Sequence, residues 1–541
     1  MPDAMRPDRA RPAGSARPWH PAARIAALAL GLTGLGSQVL AAGTEPEPRP
    51  ASGDFRALPE VSARGDDVPV TLVAAAKDVV VDGVTLHAYV FNGEYGGTLL
   101  RVRPGGRLKI HLVNQIDQEI NLHFHGSHGS PLGHGDNVHV VVPPGQTFDY
   151  VMDVPRSQPP GLYWYHTHIH GNVEELVSRG LTGPIIVEGL ESRVPEVRGL
   201  KQRLLVLKSF PLAPPAEGAD ATETNPDVRR LHGVVQSING AAHSEITMAA
   251  GSRELWRISN QSANDYYHLS IKGFRFRIVA LDGSATAQDV TLDKLDIGPA
   301  MRVEAVVEAP AAGDYPLLSG TTLTGTGRNL RTSRELAMIH VSGAATTATA
   351  VPAPTASRPM LAADLRTAKI TATRTLSFAQ RPGEEIYTIN GLTFDHRRVD
   401  VRVPLGSIEE WVIRNDSDDM HAFHIHQVHF QVVSINGEPQ PFDRLLDVVK
   451  IPERGQVVIR MAFTDPQIVG RFMFHCHVLK HEDKGMMQMI EVYDPKHPER
   501  SAQEPPMAGM DHMSMPNGMD HTTMPHGMDH MSMPHAMPMT P

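Results

Sequence analysis

The chain contains a loose internal repeat whose copies begin about 150 residues apart. Each copy opens with an Asn-Gly pair, passes a glycine-bearing turn, continues through an alternating apolar segment that ends in asparagine, and reaches a histidine. The opening asparagines are Asn92, Asn239 and Asn390. The terminal asparagines are Asn114, Asn260 and Asn415, and the histidines are His123, His268 and His421. Three domains of one kind therefore fit the length of 541 residues.

Within each copy, apolar and polar residues alternate with a period of two, and Gly, Pro and Asn separate the segments, which is typical of short β-strands. The 46 glycines and 44 prolines fit a turn-dense β-fold better than a helical bundle. We therefore predict an all-β chain built of sandwiches or Greek-key barrels. The formal net charge of −10, without a long basic run, argues against nucleic acid as the main partner.

The N-terminal segment has the composition of an export signal. A region of net positive charge precedes an apolar stretch from Ile25 to Leu40, and the small residues Ala41 and Ala42 follow it. We predict a signal over 1–42 and a flexible leader over 43–64. No other apolar run is long enough to span a bilayer, so we expect a periplasmic or secreted protein. The segment has no twin-arginine pair, and the export route stays open.

Two further segments have the composition of non-domain regions. Residues 344–362 are rich in Ala, Thr and Pro and are predicted to form a linker. Residues 497–541 repeat Met-, His- and Pro-containing units and are predicted to be a disordered tail. Thioether and imidazole side chains at this density favour copper, especially Cu(I), although an inert low-complexity tail is the alternative.

Histidines gather in four clusters, the last of which contains the single cysteine, so no intramolecular disulfide is possible. A lone His-x-His on a strand is weak evidence of a site, whereas His-Cys-His followed by a further His and a Met is strong evidence. The clusters are His123 and His125; His166 and His168; His421, His424 and His426; and His475, Cys476, His477, His481 and Met486.

Strand geometry explains this pattern, because residues i and i+2 point to one face and residue i+1 to the other. His475 and His477 can each contact one ion of a metal pair, while the Cys476 sulfur faces the opposite side. A thiolate with two imidazoles and a distant thioether is a blue-copper set, which Cys476, His421, His481 and Met486 supply. The remaining pairs, with His475 and His477, provide eight histidines, enough for three more copper ions. Carboxylate ligands for Mg²⁺ or Ca²⁺ do not cluster here.

With these motifs in this order, the sequence resembles a three-domain multicopper oxidase of the laccase and bacterial copper-efflux type over roughly residues 65–495. The resemblance implies cupredoxin-like Greek-key β-sandwiches at 65–192, 193–343 and 363–496, with no copper ligand in the middle one. It implies four copper ions, with a three-copper cluster between the first and third domains. His421, Cys476, His481 and Met486 match the type 1 ligands, and His123 and His424 match the type 2 ligands. The type 3 pair is matched by His125, His166, His168, His426, His475 and His477.

Two acids are also implied by the resemblance. Glu482 follows His481, and Asp136 follows the first His-x-His-Gly, at positions where the family uses acids to deliver protons to reduced oxygen. An ordinary loop or surface carboxylate is the alternative for each, and a carboxylate that orients a ligating imidazole is a third role.

The reaction implied by the resemblance is the four-electron reduction of dioxygen to water, coupled to four one-electron oxidations. The tail favours Cu(I) as the donor, with phenols and aromatic amines as further substrates, in a monomer that acts in copper tolerance. A general laccase acting on phenolics and a non-catalytic copper-binding protein remain alternatives. A copper nitrite reductase is disfavoured, because it lacks the His-Cys-His pair of ligands. The physiological reductant and the oligomeric state stay open.

Overall fold

A computed structural model of the chain describes residues 53–63, 65–212, 234–320, 322–324, 329–331, 333–343, 358 and 362–497. The predicted export signal, nearly all of the predicted linker and nearly all of the Met/His-rich tail lie outside these residues. In the described part of the chain, no helix combines the length and the apolar character needed to cross a membrane.

Strands dominate the described residues. The first third contains β1 (Gly53–Asp54), β2 (Glu60–Val61), β3 (Asp67–Val81), β4 (Val84–Phe91), β5 (Leu99–Val102), β6 (Arg107–Asn114), β7 (His123–His125), β8 (Thr147–Asp153), β9 (Gly161–His166) and β10 (Thr182–Val187). The middle third contains β11 (Lys201–Pro211), β12 (Val234–Ile238), β13 (Ser244–Ala249), β14 (Arg253–Asn260), β15 (Tyr267–Ile271), β16 (Phe276–Leu281), β17 (Ser284–Leu292), β18 (Lys294–Ile297), β19 (Arg302–Glu308), β20 (Gly313–Ser319), β21 (Thr322–Thr324), β22 (Asn329–Arg331) and β23 (Arg334–Ser342).

The last third contains β24 (Ala372–Gln380), β25 (Tyr387–Ile389), β26 (Val401–Pro404), β27 (Ser407–Asn415), β28 (His421–Ile425), β29 (Phe430–Ile435), β30 (Glu438–Pro439), β31 (Val448–Ile451), β32 (Gln456–Phe463), β33 (Gly470–Cys476) and β34 (Met487–Tyr493). Helices are short: α1 (Val173–Arg179), α2 (Leu190–Arg193), α3 (Leu479–Asp483), and 3-10 turns at Pro195–Val197, Leu365–Thr367 and Pro466–Ile468.

Six sheets form three pairs along the chain. The first pair has the strand orders β4-β3-β6-β8 and β2-β5-β10-β9-β7. The middle pair has the orders β12-β11-β14-β19-β16-β17 and β1-β13-β23-β20-β15-β18. The third pair has the orders β25-β24-β27-β32-β29-β30 and β26-β34-β33-β28-β31, and β21 and β22 form a separate two-stranded ribbon. This architecture confirms the predicted all-β fold with three β-sandwich units.

The repeat in the sequence is a repeat in backbone geometry. The three opening asparagines have φ of 53°, 53° and 54°, and the glycines after them have φ of 77°, 79° and 77°, a left-handed pair that suits Asn-Gly. The Oδ1 atom of each asparagine accepts a 2.8 Å hydrogen bond from a neighbouring strand: from the backbone N of Val73, Val206 or Ser377. Each turn therefore fixes the register of its sheet.

The asparagine that ends the long strand of each repeat is also a structural residue. In all three copies its Oδ1 accepts from the backbone N two residues later, at 3.1, 3.0 and 2.9 Å. Its Nδ2 donates to backbone carbonyls across the sandwich, including Val142, Ile297 and Pro452. In the first and third copies, the loop after this asparagine leads to a histidine that the sequence analysis predicts as a metal ligand, His123 or His421.

The prediction of a flexible leader over 43–64 is wrong for residues 53–63, which contain two paired strands. Gly53–Asp54 pairs with β13 of the middle sandwich, and Glu60–Val61 pairs with β5 of the first. Asn239 also donates to the Arg56 carbonyl at 2.8 Å. Residues 53–63 therefore join two sandwiches as sheet-edge strands, because unpaired edge groups on β13 and β5 gain backbone hydrogen bonds.

Candidate metal centre

Strand β33 ends in His475 and Cys476 at the boundary between the first and third sandwiches, and His477 follows its last residue. Its partner β28 places Phe423 opposite Cys476 and His424 opposite His475. Alternation along β33 sends the Cys476 side chain to one face and its histidine neighbours to the other. The result is two groups of side chains, one on each face.

The first group, which we call the Cys476 group, consists of His421, Cys476 and His481. The Cys476 Sγ lies 3.5 Å from His421 Nδ1 and 3.7 Å from His481 Nδ1, and the two Nδ1 atoms are 3.1 Å apart. The Ser417 hydroxyl contacts His421 Nε2 at 2.8 Å, which fixes the ring with Nδ1 facing the sulfur. Tyr387 stacks on the His481 ring with centroids 4.1 Å apart.

Burial keeps this group in its neutral protonation state. It raises the pKa of the Cys476 thiol to about 12 and lowers the pKa of His421 to about 3. A thiol of this kind ionises when a cation replaces its proton, so the group is suited to metal binding rather than to free thiolate chemistry. Met486 is fully buried in the same apolar cluster as Cys476, and its carbonyl accepts from the Cys476 N at 3.1 Å.

The second group, the eight-histidine cluster, lies on the other face of β33. It contains His123, His125, His166, His168, His424, His426, His475 and His477, all buried. Two pairs stack across the boundary between sandwiches: His123 on His426, and His125 on His424, each with centroids 3.7 Å apart. His475 Nε2 lies 3.3 Å from His168 Nε2 and 3.2 Å from His426 Nε2.

The imidazoles of this cluster are oriented from outside. His123 Nδ1 lies 3.0 Å from Asp136 Oδ1, His166 Nδ1 lies 2.7 Å from the Thr167 carbonyl, and His424 Nδ1 lies 2.7 Å from the Asp447 carbonyl. A proton on Nδ1 leaves Nε2 with a lone pair. Within the described residues, the buried Nε2 atoms of His123, His166 and His424 have no hydrogen-bond partner.

Unpaired buried nitrogens are costly, so their concentration here tests whether metal ions fit. The Nε2 of His125, the Nδ1 of His426 and both ring nitrogens of His477 are also buried without a partner in the described chain. Three sets of side chains could each hold a metal ion, because the ligand atoms within each set lie within 4.8 Å of one another. The sets are His123, His424 and His426; His168, His426 and His475; and His125, His424 and Asp447. Imidazole nitrogens in this arrangement fit copper.

The protonation state supports the same fit. Burial is the main cause that lowers the pKa of every histidine in the cluster, to about 3 for His166 and His168 and to about 4 for His475. Repulsion between neighbouring imidazoles adds to it for most of them. The rings are therefore neutral at pH 7, which is the form that ligates a metal.

Both sequence-predicted acids lie against the cluster. Asp136 accepts from the Phe124 N at 3.0 Å and from Gln427 Nε2 at 2.6 Å, in addition to its contact with His123. Glu482 Oε2 lies 2.8 Å from His475 Nδ1, and Oε1 lies 3.4 Å from His168 Nε2. Burial raises the pKa of Asp136 well above its usual range and that of Glu482 to about 7. Neither is a surface carboxylate.

The structure also adds residues that no motif indicated. Asp447, the residue immediately before β31, contacts His125 and His424. Arg302 from the middle sandwich binds Asp447. The sequence marks Arg302 and Asp447 only as charged residues next to apolar segments. His128, His134, His139, His170 and His429 join none of the ligand-distance groups in the described chain. His268 lies apart from both groups, beside Asp296 at 3.2 Å.

Comparisons with known proteins agree with this arrangement. Three family models described as multicopper oxidase match residues 73–192, 213–344 and 364–496. The chain is 25% identical over 410 residues to a multicopper oxidase of Staphylococcus aureus, covering 74% of this chain and 83% of that protein. It is 26% identical over 470 residues to the cell division protein FtsP of Escherichia coli, covering 84% and 96%.

A solved structure of a laccase-like multicopper oxidase, CueO, from Ochrobactrum sp. superposes with a TM-score of 0.65 and 26% identity, covering 81% of this chain and 99% of that chain. A multicopper oxidase from Campylobacter jejuni superposes with a TM-score of 0.68 and 24% identity, covering 82% and 96%. These likenesses confirm the predicted cupredoxin-like fold.

Proposed function

The chain belongs to the multicopper oxidase family, and on that premise we propose that it oxidises one-electron donors and reduces dioxygen to water with four copper ions. One observation carries the proposal. On one face of the segment around Cys476, buried imidazole nitrogens that have no hydrogen-bond partner in the described chain lie close together, and on the other face the buried Cys476 sulfur lies beside two further imidazoles. A single strand, β33, supplies residues to both groups.

The Cys476 group would hold the type 1 ion through His421, Cys476 and His481, and Met486 would contribute a thioether. His123 and His424 would hold the type 2 ion. The type 3 pair would be held by His125, His166, His168, His426, His475 and His477. When bound, copper would supply the redox chemistry. Four single-electron oxidations of donor molecules balance the reduction of one dioxygen, which takes up four protons and gives two waters.

The protein's own contribution is to orient ligands, exclude water and hold protons. Neutral imidazoles held through Nδ1 present Nε2 inward, so little reorganisation is needed when metal binds. Asp136 and Glu482 would hold protons at Oδ and Oε close to the cluster, and their raised pKa values make them able to give a proton near neutral pH. Asp136 would also orient His123.

Cu(I) is the donor that the Met- and His-rich C-terminal sequence supports best, with phenols and aromatic amines as further donors. The Ochrobactrum structure is described as having oxidase activity towards lignin model compounds and lignosulfonate, which supports phenolic donors. The N-terminal sequence supports a periplasmic or secreted location. One relative is named for cell division, so family membership alone does not decide between oxidase activity and copper binding without turnover.

Oxygen uptake tests the proposal. Copper-loaded protein is supplied with Cu(I) or with a phenol, and its visible spectrum is recorded. We expect a blue band and uptake with both donors, faster with Cu(I). A blue band without uptake would contradict the oxidase proposal while leaving the Cys476 group as a copper site.

The variant His166→Leu separates an oxidase from a copper-binding protein. His166 belongs to the eight-histidine cluster and has no atom in the Cys476 group, so the variant should keep its blue band and lose oxygen reduction. Oxygen uptake by His166→Leu equal to that of the wild type would remove the cluster from the reaction. Loss of the blue band as well would show that the two groups do not form independently.

A further inference from the structure

The middle sandwich provides no ligand in the proposed assignment, yet one of its side chains reaches the eight-histidine cluster. Arg302 begins strand β19, and its side chain is fully buried. Its Nη1 atom lies 3.4 Å from His125 Nδ1 in the first sandwich, and its guanidinium binds Asp447 in the third. One side chain therefore connects all three units at the cluster.

Every donor of this guanidinium can be traced except one hydrogen of Nη2. Nη1 donates to Asp447 Oδ1 at 2.7 Å and to the Ala300 carbonyl at 3.1 Å, and Nη2 donates to Asp447 Oδ2 at 2.7 Å. Nε donates to the Leu162 carbonyl at 3.2 Å. Nη1 has two hydrogens and three hydrogen-bonding neighbours within reach, of which Asp447 Oδ1 is the nearest and His125 Nδ1 the farthest, so its contact with His125 is the weakest of the three.

Both partners of this ion pair lie against the His125 ring. His125 Nδ1 is 3.4 Å from Arg302 Nη1 and 3.6 Å from Asp447 Oδ2. The guanidinium balances the charge of this carboxylate where both side chains are 0–1% exposed. The other ring nitrogen of His125, Nε2, is buried and has no hydrogen-bond partner among the described residues.

The same aspartate also controls a second ring. Its backbone carbonyl accepts from His424 Nδ1, and the rings of His424 and His125 stack with an interplanar angle of 15°. Close packing leaves Asp447 little freedom, since a Cβ on Gly126 would lie 2.1 Å from Asp447 Oδ2 and 2.7 Å from Arg302 Nη2. One anchored residue therefore orients one histidine from each of the two outer sandwiches.

We propose that Arg302 is a positioning residue by which the middle sandwich, acting through Asp447, holds His125 and His424 in the orientation that binds copper. The inference rests on the proposed function, since it assigns a residue to that same site. Arg302 touches neither donor nor oxygen, and its contribution is made through Asp447. The middle unit is then part of the metal centre and not only a spacer between the outer two.

The test compares copper retention in Arg302→Met with that in Arg203→Met. Arg203 is a matched control, because it forms a buried bidentate pair with Glu254 in the same sandwich at 2.8 and 3.0 Å, away from the histidines. Each copper-loaded protein is dialysed against increasing EDTA, and copper per chain, the blue band and the type 2 electron paramagnetic resonance signal are recorded. Arg302→Met should lose cluster copper at about 10- to 100-fold lower EDTA, with an altered type 2 signal and an unchanged blue band.

A second variant covers the case in which Arg302→Met does not fold, because that change leaves the Asp447 carboxylate buried without its counter-ion. The double variant Arg302→Met/Asp447→Leu removes both partners of this ion pair, and with them the carboxylate beside His125. The buried Asp282, 3.4 Å from Arg302 Nη1, retains its hydrogen bond from the backbone N of residue 302. The double variant should show the same loss of cluster copper, whereas Arg203→Met should behave as the wild type.

Copper retention and a type 2 signal equal to those of the wild type, in either variant, would overturn the inference and leave the oxidase proposal intact. Wild-type protein that binds copper only in the Cys476 group would instead overturn the oxidase proposal, and the inference with it. Equal loss in Arg203→Met and Arg302→Met would also overturn the inference, because the effect would then be one of general stability.

Discussion

The carboxyl group of Glu482 contacts two histidines of the cluster, 2.8 Å from His475 Nδ1 and 3.4 Å from His168 Nε2. Burial raises its pKa to about 7, so it can both hold and release a proton at neutral pH. We predict that Glu482→Gln lowers oxygen uptake about 100-fold or more, because the amide cannot transfer a proton. Copper content and the blue band should be unchanged.

The control for this prediction is Glu308→Gln, which removes a half-exposed carboxylate paired with Arg253 on the outside of the middle sandwich. It should leave oxygen uptake unchanged. If Glu482→Gln takes up oxygen at the wild-type rate, Glu482 has no part in proton delivery. If it loses copper as well, its role is to orient His475.

Lys208 is buried, and its Nζ donates to two backbone carbonyls, those of Tyr95 and Gly180, at 2.6 and 3.0 Å. Burial lowers its pKa from 10.5 to about 7. The unfolded chain therefore binds more protons than the folded one between about pH 7 and 10.5, so stability rises with pH in this window. Below about pH 7 the cost of burying the charge is fully present, and at high pH it vanishes.

We predict that Lys208→Met raises the free energy of unfolding at pH 7 by a few kcal/mol, on the order expected for a shift of this size, and removes the rise between pH 7 and 10.5. Denaturant midpoints measured at several pH values provide the test. The exposed Lys272→Met is the control and should leave the slope unchanged. A wild-type stability that does not rise over this window would contradict the assignment.

At the scale of elements, helix α1 of the first sandwich depends on the third sandwich for its N-terminal cap. The cap position, Asn172, makes no side-chain capping hydrogen bond. Asp483 at the end of α3 accepts from the Val173 N at 3.1 Å and from the Glu174 N at 2.7 Å instead. A carboxylate at a helix N-terminus satisfies free N–H groups and interacts favourably with the helix dipole.

We predict that Asp483→Ala lowers the free energy of unfolding by about 0.5–2 kcal/mol, because two buried N–H groups lose their acceptor. Asp483→Asn keeps an acceptor oxygen and should cost less. Chemical denaturation of the copper-free protein measures both without interference from the metal. If Asp483→Ala unfolds at the same denaturant concentration as the wild type, the cap does not hold the two sandwiches together.

At the scale of the whole molecule, the sequence was informative where the chemistry is local. His475 and Cys476 end one strand and His477 follows directly, so the period of two alone predicts which face each takes. Asn92 and its two counterparts carry their turn geometry in the Asn-Gly pair itself.

Long-range contacts had no such signal. Arg302 meets Asp447 across 145 residues, and Asp483 caps a helix 310 residues earlier. A charged residue in a strand or loop is usually exposed to solvent. Only the assembled sandwiches show that Arg302, Asp447 and Asp483 are buried and bound to partners. The strands at 53–63 were missed because they are too short to show a period.

The C-terminal segment supports the last prediction, which concerns which donor the molecule prefers. Residues 505–541 contain eleven methionines and five histidines, soft ligands that favour Cu(I) and that a phenol does not need. Several weak sites on one chain raise the local concentration of a bound ion. Deletion of 505–541 should therefore lower the rate of Cu(I) oxidation about tenfold or more at limiting Cu(I), and should change phenol oxidation little. A full-length variant with leucine at the eleven methionines controls for the length of the segment and should resemble the deletion. Equal loss of both activities would remove this segment from the path of the donor, and the choice between Cu(I) and phenols would then depend on the surface around His481 alone.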